Sequence, residues 1–207
     1  MIQKSNYKRQ RIVYIMNVDW GWVKQRPHFL AQHLSRLHDV VVVYPYAWKR
    51  QQLSINDSEG IRLYPFFRIP FGRRCAFISN LNVFILRTMA KVFIGWFRPT
   101  IVWISSPELF GYLPKYLAAK LVYDCMDDVL GFPSNIAQID NLAANEKELV
   151  TRSSMVFCSS NNLRDKLIRR TGHAEKYSVI HNAFEPSAFP AIPGIPEVEK
   201  KKRGGLH

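Results

Sequence analysis

The strongest constraint in this sequence is a series of short runs that are apolar almost end to end and rich in β-branched residues. They are Arg11–Met16 (RIVYIM), Asp39–Tyr44 (DVVVVY), Ile61–Tyr64, Thr100–Ser105 (TIVWIS), Lys120–Asp124 (KLVYD), Met155–Ser159 (MVFCS) and Tyr177–His181 (YSVIH). A strand with one wet face alternates polar and apolar residues, so strands this apolar are covered on both faces. Helical patterns lie between them: Gln25–Leu37, with Pro27 tolerated in its first turn, then Cys75–Phe97, Pro107–Ala119, Leu142–Ser153, and a helix capped by Ser160 that runs to about Arg170. This order predicts an α/β fold, a doubly wound Rossmann-like parallel sheet, over residues 11–189. Residues 1–10 read as a polar, basic N-terminal extension. Residues 190–207, with Pro, Gly and a charged EKKKR run, read as a linker or disordered tail.

A chain of 207 residues, 47% hydrophobic, can bury such a core without staples. Cys75, Cys125 and Cys158 lack the paired spacing of a disulfide frame or a structural zinc site, so they read as reduced thiols in a cytosolic chain with no metal centre. The first apolar stretch, Ile12–Met16, is too short for a secretory leader.

Charge narrows the partners. The net charge is +13, from 29 Lys and Arg against 16 Asp and Glu, which points to a polyanion: nucleic acid, an anionic membrane face or a phosphorylated substrate. The surplus is uneven. From Gly60 to Pro107 there is no acid, while Arg62, Arg68, Arg73, Arg74, Arg87, Lys91 and Arg98 fall there. The same stretch holds the most apolar segment, in which Asn80, Arg87 and Lys91 form one narrow stripe. Two readings stand: a core helix with a thin wet stripe, or a helix that dips into an anionic membrane face with Arg68, Arg73, Arg74, Arg87 and Lys91 facing it. Arg87 and Lys91 interrupt the run needed to span a bilayer. The basic residues are not interleaved with a nucleic-acid reading motif, so nucleic acid is not favoured.

In open α/β sheets ligands bind beyond the carboxyl ends of the strands. After the first strand come Trp20-Gly21-Trp22 and Gln25-Arg26-Pro27-His28. This is not a G-x-G-x-x-G loop, so a dinucleotide site is not supported. Gly21 would let backbone approach a phosphate, Trp faces stack on sugar rings, and the Arg fork matches phosphate. The alternative is a plain turn, with the Trp pair anchoring the loop. After the fourth strand, Ser105-Ser106-Pro107-Glu108 reads as a helix cap. After the fifth, Asp124, Asp127 and Asp128 cluster. Asp127 or Asp128 would serve as general base or hold a cation, or simply favour a helix N-terminus, while Asp124 ends the strand.

Taken in order, Trp22-Val23-Lys24-Gln25-Arg26-Pro27-His28, Val122-Tyr123-Asp124-Cys125-Met126-Asp127-Asp128, Glu146 with Leu149, Val156-Phe157-Cys158-Ser159-Ser160 with Leu163, and Val179-Ile180-His181-Asn182-Ala183 with Phe189 resemble the N-terminal half of a GT-B glycosyltransferase. The closest likeness is to retaining bacterial enzymes of cell-surface polysaccharide synthesis, including the teichuronic acid type. Ala183 and Glu185 stand where that pattern usually has Gly and Asp. The resemblance implies an acceptor-binding domain whose acceptor is a glycan or a lipid-linked species. It implies a UDP- or GDP-sugar donor held mainly by a separate C-terminal domain with a Glu-x7-Glu stretch, and a peripheral position on the inner face of the plasma membrane. Trp20, Gly21, Trp22, Gln25, Arg26, His28 and Asn182 become candidate substrate-binding residues, and Asp127 or Asp128 the candidate acceptor-orienting group. No Glu-x7-Glu domain occurs within these residues, so the chain alone is expected not to transfer sugar. The rival expectation is a basic membrane- or nucleic-acid-binding module without catalysis.

Overall fold

The computed structural model describes residues 8–46, 60–67, 69, 76–132 and 136–182. Arg68, Arg73, Arg74, Cys75, Ala183, Glu185 and Phe189 lie outside them, as do residues 1–7 and the tail from 190.

Seven strands form one sheet: β1 (Arg11–Ile15), β2 (Asp39–Pro45), β3 (Ile61–Phe66), β4 (Ile101–Ile104), β5 (Lys120–Cys125), β6 (Met155–Cys158) and β7 (Tyr177–Val179). Their order is β3-β2-β1-β4-β5-β6-β7, and every neighbouring pair is parallel. The β-branched runs do what their composition requires, because alternate residues enter two separate cores. Val13, Ile15, Val41, Val102, Ile104, Leu121, Tyr123, Cys125, Val156 and Cys158 face one layer. Ile12, Tyr14, Met16, Val40, Val42, Trp103 and Val122 face the other.

The first layer is closed by α2 (Ala76–Phe97), α3 (Pro107–Phe110), α4 (Ile136–Arg152) and α5 (Asn161–Thr171), through Leu86, Phe97, Leu109, Leu149, Leu163 and Leu167 among others. The second is closed by α1 (Arg26–Ser35), through Ala31, Leu30 and Leu34. Ser160 caps α5 by accepting the Leu163 N–H at 3.2 Å, as the sequence predicts. The buried Cys125 and Cys158 are free thiols.

Two elements differ from expectation. The helix expected over Pro107–Ala119 stops after one turn, at Phe110. Pro114 cannot donate to a continuing helix, and the chain instead turns back, Leu113 N–H on Phe110 O at 3.0 Å. Conversely, α4 begins at Ile136, well before Leu142, so tertiary context overrides the weak helix preference of Asp140 and Asn141.

Candidate functional site

The sheet order places a topological switch point between β1 and β4. The chain leaves β1 toward α1 on one face and leaves β4 toward α3 on the other, the position at which open α/β sheets generally bind ligands. Side chains tie the two connections together. Ser105 donates its N–H to Ile15 O at 3.1 Å, accepts the Asn17 N–H at 3.2 Å, and donates its hydroxyl to Asn17 Oδ1 at 3.2 Å. Ser106 caps α3 by accepting the Glu108 N–H at 3.2 Å, as read from the sequence. The Ser105–Asn17 link is invisible in sequence, because the two residues are 88 positions apart.

The β1–α1 loop is built around Asp19, which is buried. Its carboxylate accepts the Gly21 N–H at 2.9 Å and its carbonyl accepts the Trp22 N–H at 3.1 Å. The Gly21 N–H is therefore engaged inside the turn. Gly21 is also buried, so it does not present that donor to a phosphate.

Trp20 is buried and packs on His28, ring centroids 4.9 Å apart, so this tryptophan anchors the loop. Trp22 is half-buried. Gln25 and His28 form a capping box at the start of α1, in which His28 Nδ1 accepts the Gln25 N–H at 3.1 Å. That bond requires the imidazole proton to sit on Nε2. The ring is only 1% exposed, and burial lowers its pKa below the ordinary histidine value. Nε2 has no hydrogen-bond partner among the described residues.

Arg26 makes the most consequential contact, and sequence reasoning missed its partner. Its fork reaches both oxygens of Asp124, with Nη2–Oδ1 at 2.9 Å and Nε shared between Oδ1 at 3.0 Å and Oδ2 at 3.3 Å. Tyr14 donates its hydroxyl to the same carboxylate at 3.1 Å. Asp124 is 0% and Arg26 7% exposed at the side chain. Burial raises the Asp124 carboxyl above its usual value, against the opposing pull of Arg26 and the Tyr14 hydroxyl. Burial likewise pushes the Tyr14 phenol well up. The other Arg26 nitrogen donates to Ile180 O and, at 3.4 Å, to Asn182 Oδ1. Arg26 thus joins α1, β5 and the chain leaving β7. It reaches Asn182 as a clamp, and its fork is occupied by protein groups instead of being held open for phosphate. Asp124 lies within β5, which continues to Cys125.

The remaining carboxylates form a separate cluster. Asp128 is paired with Lys166 at 3.2 Å and Arg170 at 2.8 Å. Burial opposes its charge, but those two cations outweigh it and hold the carboxyl below the usual range. Arg170 also reaches the buried Glu146 at 3.3 Å, and Tyr123 donates to Glu146 at 3.5 Å. Asp127 is exposed, its carbonyl accepting the Cys125 thiol at 3.5 Å. The structure therefore brings Trp20, Gly21, Gln25 and His28 together, and Arg26 with Asn182. Asp127 and Asp128 follow β5, and Arg87 and Lys91 lie on α2. No cluster of three or more His, Cys, Asp or Glu suited to a metal occurs among the described residues.

No protein-family description matches this sequence, and no curated protein matches it. Solved structures do. Anabaena HepE in complex with UDP is 16% identical, with a TM-score of 0.53 over 84% of this chain and 44% of HepE. Sucrose-phosphate synthase from Thermosynechococcus elongatus is 10% identical, with a TM-score of 0.60 over 83% of this chain and 48% of the synthase. The lipopolysaccharide outer core galactosyltransferase WaaB is 12% identical, with a TM-score of 0.53 over 82% of this chain and 45% of WaaB. The chain spans a little under half the length of each. At these identities the likeness is one of fold: a doubly wound, Rossmann-like α/β domain that this chain shares with about half of each of these structures.

Proposed function

We propose that this chain is the acceptor-binding half of a glycosyltransferase. The enzyme would move a sugar from a UDP- or GDP-sugar to a cell-surface polysaccharide, of the teichuronic acid kind, or to a lipid-linked precursor at the cytoplasmic face of the plasma membrane. The observation that supports it most is the β1–β4 switch point itself, flanked by a loop that carries the half-buried Trp22 and the exposed Gln25. It occurs in a fold shared with a protein crystallised with UDP.

In this reading Trp22 and Gln25 face a ligand bound at this switch point, where an indole face suits a sugar ring. The α1 N-terminus carries the positive end of its dipole toward the same loop, which favours a phosphate. Trp20, His28 and Arg26 hold these groups in place from beneath. Of the two candidate carboxylates, Asp127 is exposed and suited to accept a hydrogen bond from an acceptor hydroxyl, while Asp128 is committed to Lys166 and Arg170. A second domain supplies most of the donor site.

The test is to read the coding DNA past codon 207 in every frame and to co-express any domain bearing Glu-x7-Glu. Labelled sugar transfer from UDP-glucose or GDP-mannose to a membrane extract is then assayed. Transfer is expected only from the reunited pair, and Trp22→Ala should lower it. Transfer by the 207-residue chain alone would overturn the divided-site reading. An inert pair would overturn the assignment to sugar transfer.

A further inference from the structure

Helix α2 is long and apolar enough to cross a bilayer by length and composition, yet almost none of it is buried. It does not stand apart from the sheet. Leu86 and Phe97 reach the core, Phe93 packs edge-on against Tyr64 with centroids 5.0 Å apart, and the Arg11 and Arg62 guanidinium groups lie over the Phe97 ring at 4.6 and 5.0 Å. One side is therefore committed to protein, and the helix lies along the surface instead of leaving it. The opposite side is apolar and open: Phe77, Phe84 at 68%, Val92 and Trp96 at 62% exposure.

A second feature borders this face. Between α2, the connection from α3 to β5, and α4 lies a pocket of about 470 Å³, lined by Arg87, Lys91, Asn145, Lys115, Glu148 and Arg152 among others. Four of these are cations and one is an acid. The acid, Glu148, is paired with Arg152 at 3.3 Å. Arg87 is steadied by donating Nε–H to Gly111 O at 3.0 Å, which leaves its terminal nitrogens for another acceptor. A shallower groove along Asn80, Phe84, Arg87 and Lys91 connects the pocket edge to the apolar face. A concave, mostly basic pocket beside an aromatic helix face is complementary to one kind of surface.

We propose that this pocket binds the phosphate headgroup of an anionic lipid while the outer face of α2 lies in the bilayer surface. This deepens the reading of the chain as an enzyme of the membrane face, and it rests on that reading. A neutral apolar partner would leave Arg87, Lys91 and Lys115 unmatched. A soluble polyanion would leave Phe84, Val92 and Trp96 in water.

The test is co-flotation of the 207-residue protein with vesicles of phosphatidylcholine alone or mixed equally with phosphatidylglycerol, at low and high salt. The parent should float only with the mixed vesicles. Lys91→Gln/Lys115→Gln should weaken that binding about fivefold per cation, roughly twenty-fivefold in all. Phe84→Ser/Trp96→Ser should weaken it comparably. Arg36→Gln/Arg169→Gln, which removes the same charge from positions outside the pocket lining, should change it by less than about twofold. All six positions are exposed, and circular dichroism checks the fold. Equal losses from the two charge pairs would overturn the pocket while leaving membrane binding intact. No binding to mixed vesicles, or binding to a soluble polyanion that the Phe84/Trp96 change leaves untouched, would overturn both. Sugar transfer to a water-soluble acceptor should be unaffected by the pocket variant, which separates this proposal from the proposed activity.

Discussion

Replacing Arg26 with Met leaves Asp124 at 0% exposure with only the Tyr14 hydroxyl as partner. The pair is bidentate and dry, so removing one member strands a buried charge, at a cost of about 3–5 kcal/mol. For a chain of this length that corresponds to a fall in Tm of roughly 6–20 °C. Urea unfolding, followed by the fluorescence of the buried Trp20 and Trp103, measures it. The pH dependence identifies the cause. Asp124 already has a raised pKa in the folded protein, and losing Arg26 removes the main influence that lowers it. The folded variant then holds a proton that the unfolded chain has released, so its stability is greatest at acid pH and declines as pH rises through the folded pKa. The deficit against the parent should therefore be largest near neutrality and shrink toward pH 4. A loss below about 1 kcal/mol, or one that does not change with pH, would refute the account of a stranded carboxylate. Asp124→Asn, which keeps the Ile180 and Asn182 contacts of Arg26, should also destabilise. The double variant should cost less than the sum of the two, because neither charge is then left alone.

His28 has a lowered pKa, so its contribution is present above the unfolded value near 6.5 and is lost as pH falls through the folded one; His28→Gln should flatten that slope in urea titrations between neutral and mildly acid pH. Asp128 has the same bias at lower pH, since its folded carboxyl lies below the usual range. Asp128→Asn should cost about 1 kcal/mol at pH 7, and nothing once the pH falls through the folded value. In the reunited enzyme it should leave turnover nearly unchanged, whereas Asp127→Asn should reduce it, as read by single-turnover assay. Ser160→Ala should remove the α5 cap at a cost of about 1 kcal/mol, measured by thermal denaturation.

The strands were legible because burial on both faces leaves a local mark: short runs, up to five residues, of mostly apolar and often β-branched side chains with little polar alternation. The Ser160 and Ser106 caps were legible for the same reason, since a cap bonds a backbone group two or three residues away. The helix expected over Pro107–Ala119 failed at Pro114 because a single missing donor outweighs a favourable apolar pattern. The site was legible only in part. Trp20-Gly21-Trp22 stood out by composition and by its place after a strand, but its roles divide on a detail no local pattern carries: Trp20 turns inward onto His28, while Trp22 stays partly open.

The sequence by itself determined the alternation of strand and helix, the parallel sheet, the uneven basic charge and the amphipathic character of α2, all of which arise from neighbours a few positions apart. Only the tertiary structure decided that Arg26 serves Asp124, 98 positions away, and that Asp128 serves Lys166 and Arg170. It alone set the basic pocket between α2 and α4. Such pairings depend on which strand lies beside which and on where each helix crosses the sheet. An ionic partner is chosen by proximity in space, and the sheet order that creates that proximity leaves no trace in the spacing of the residues it joins.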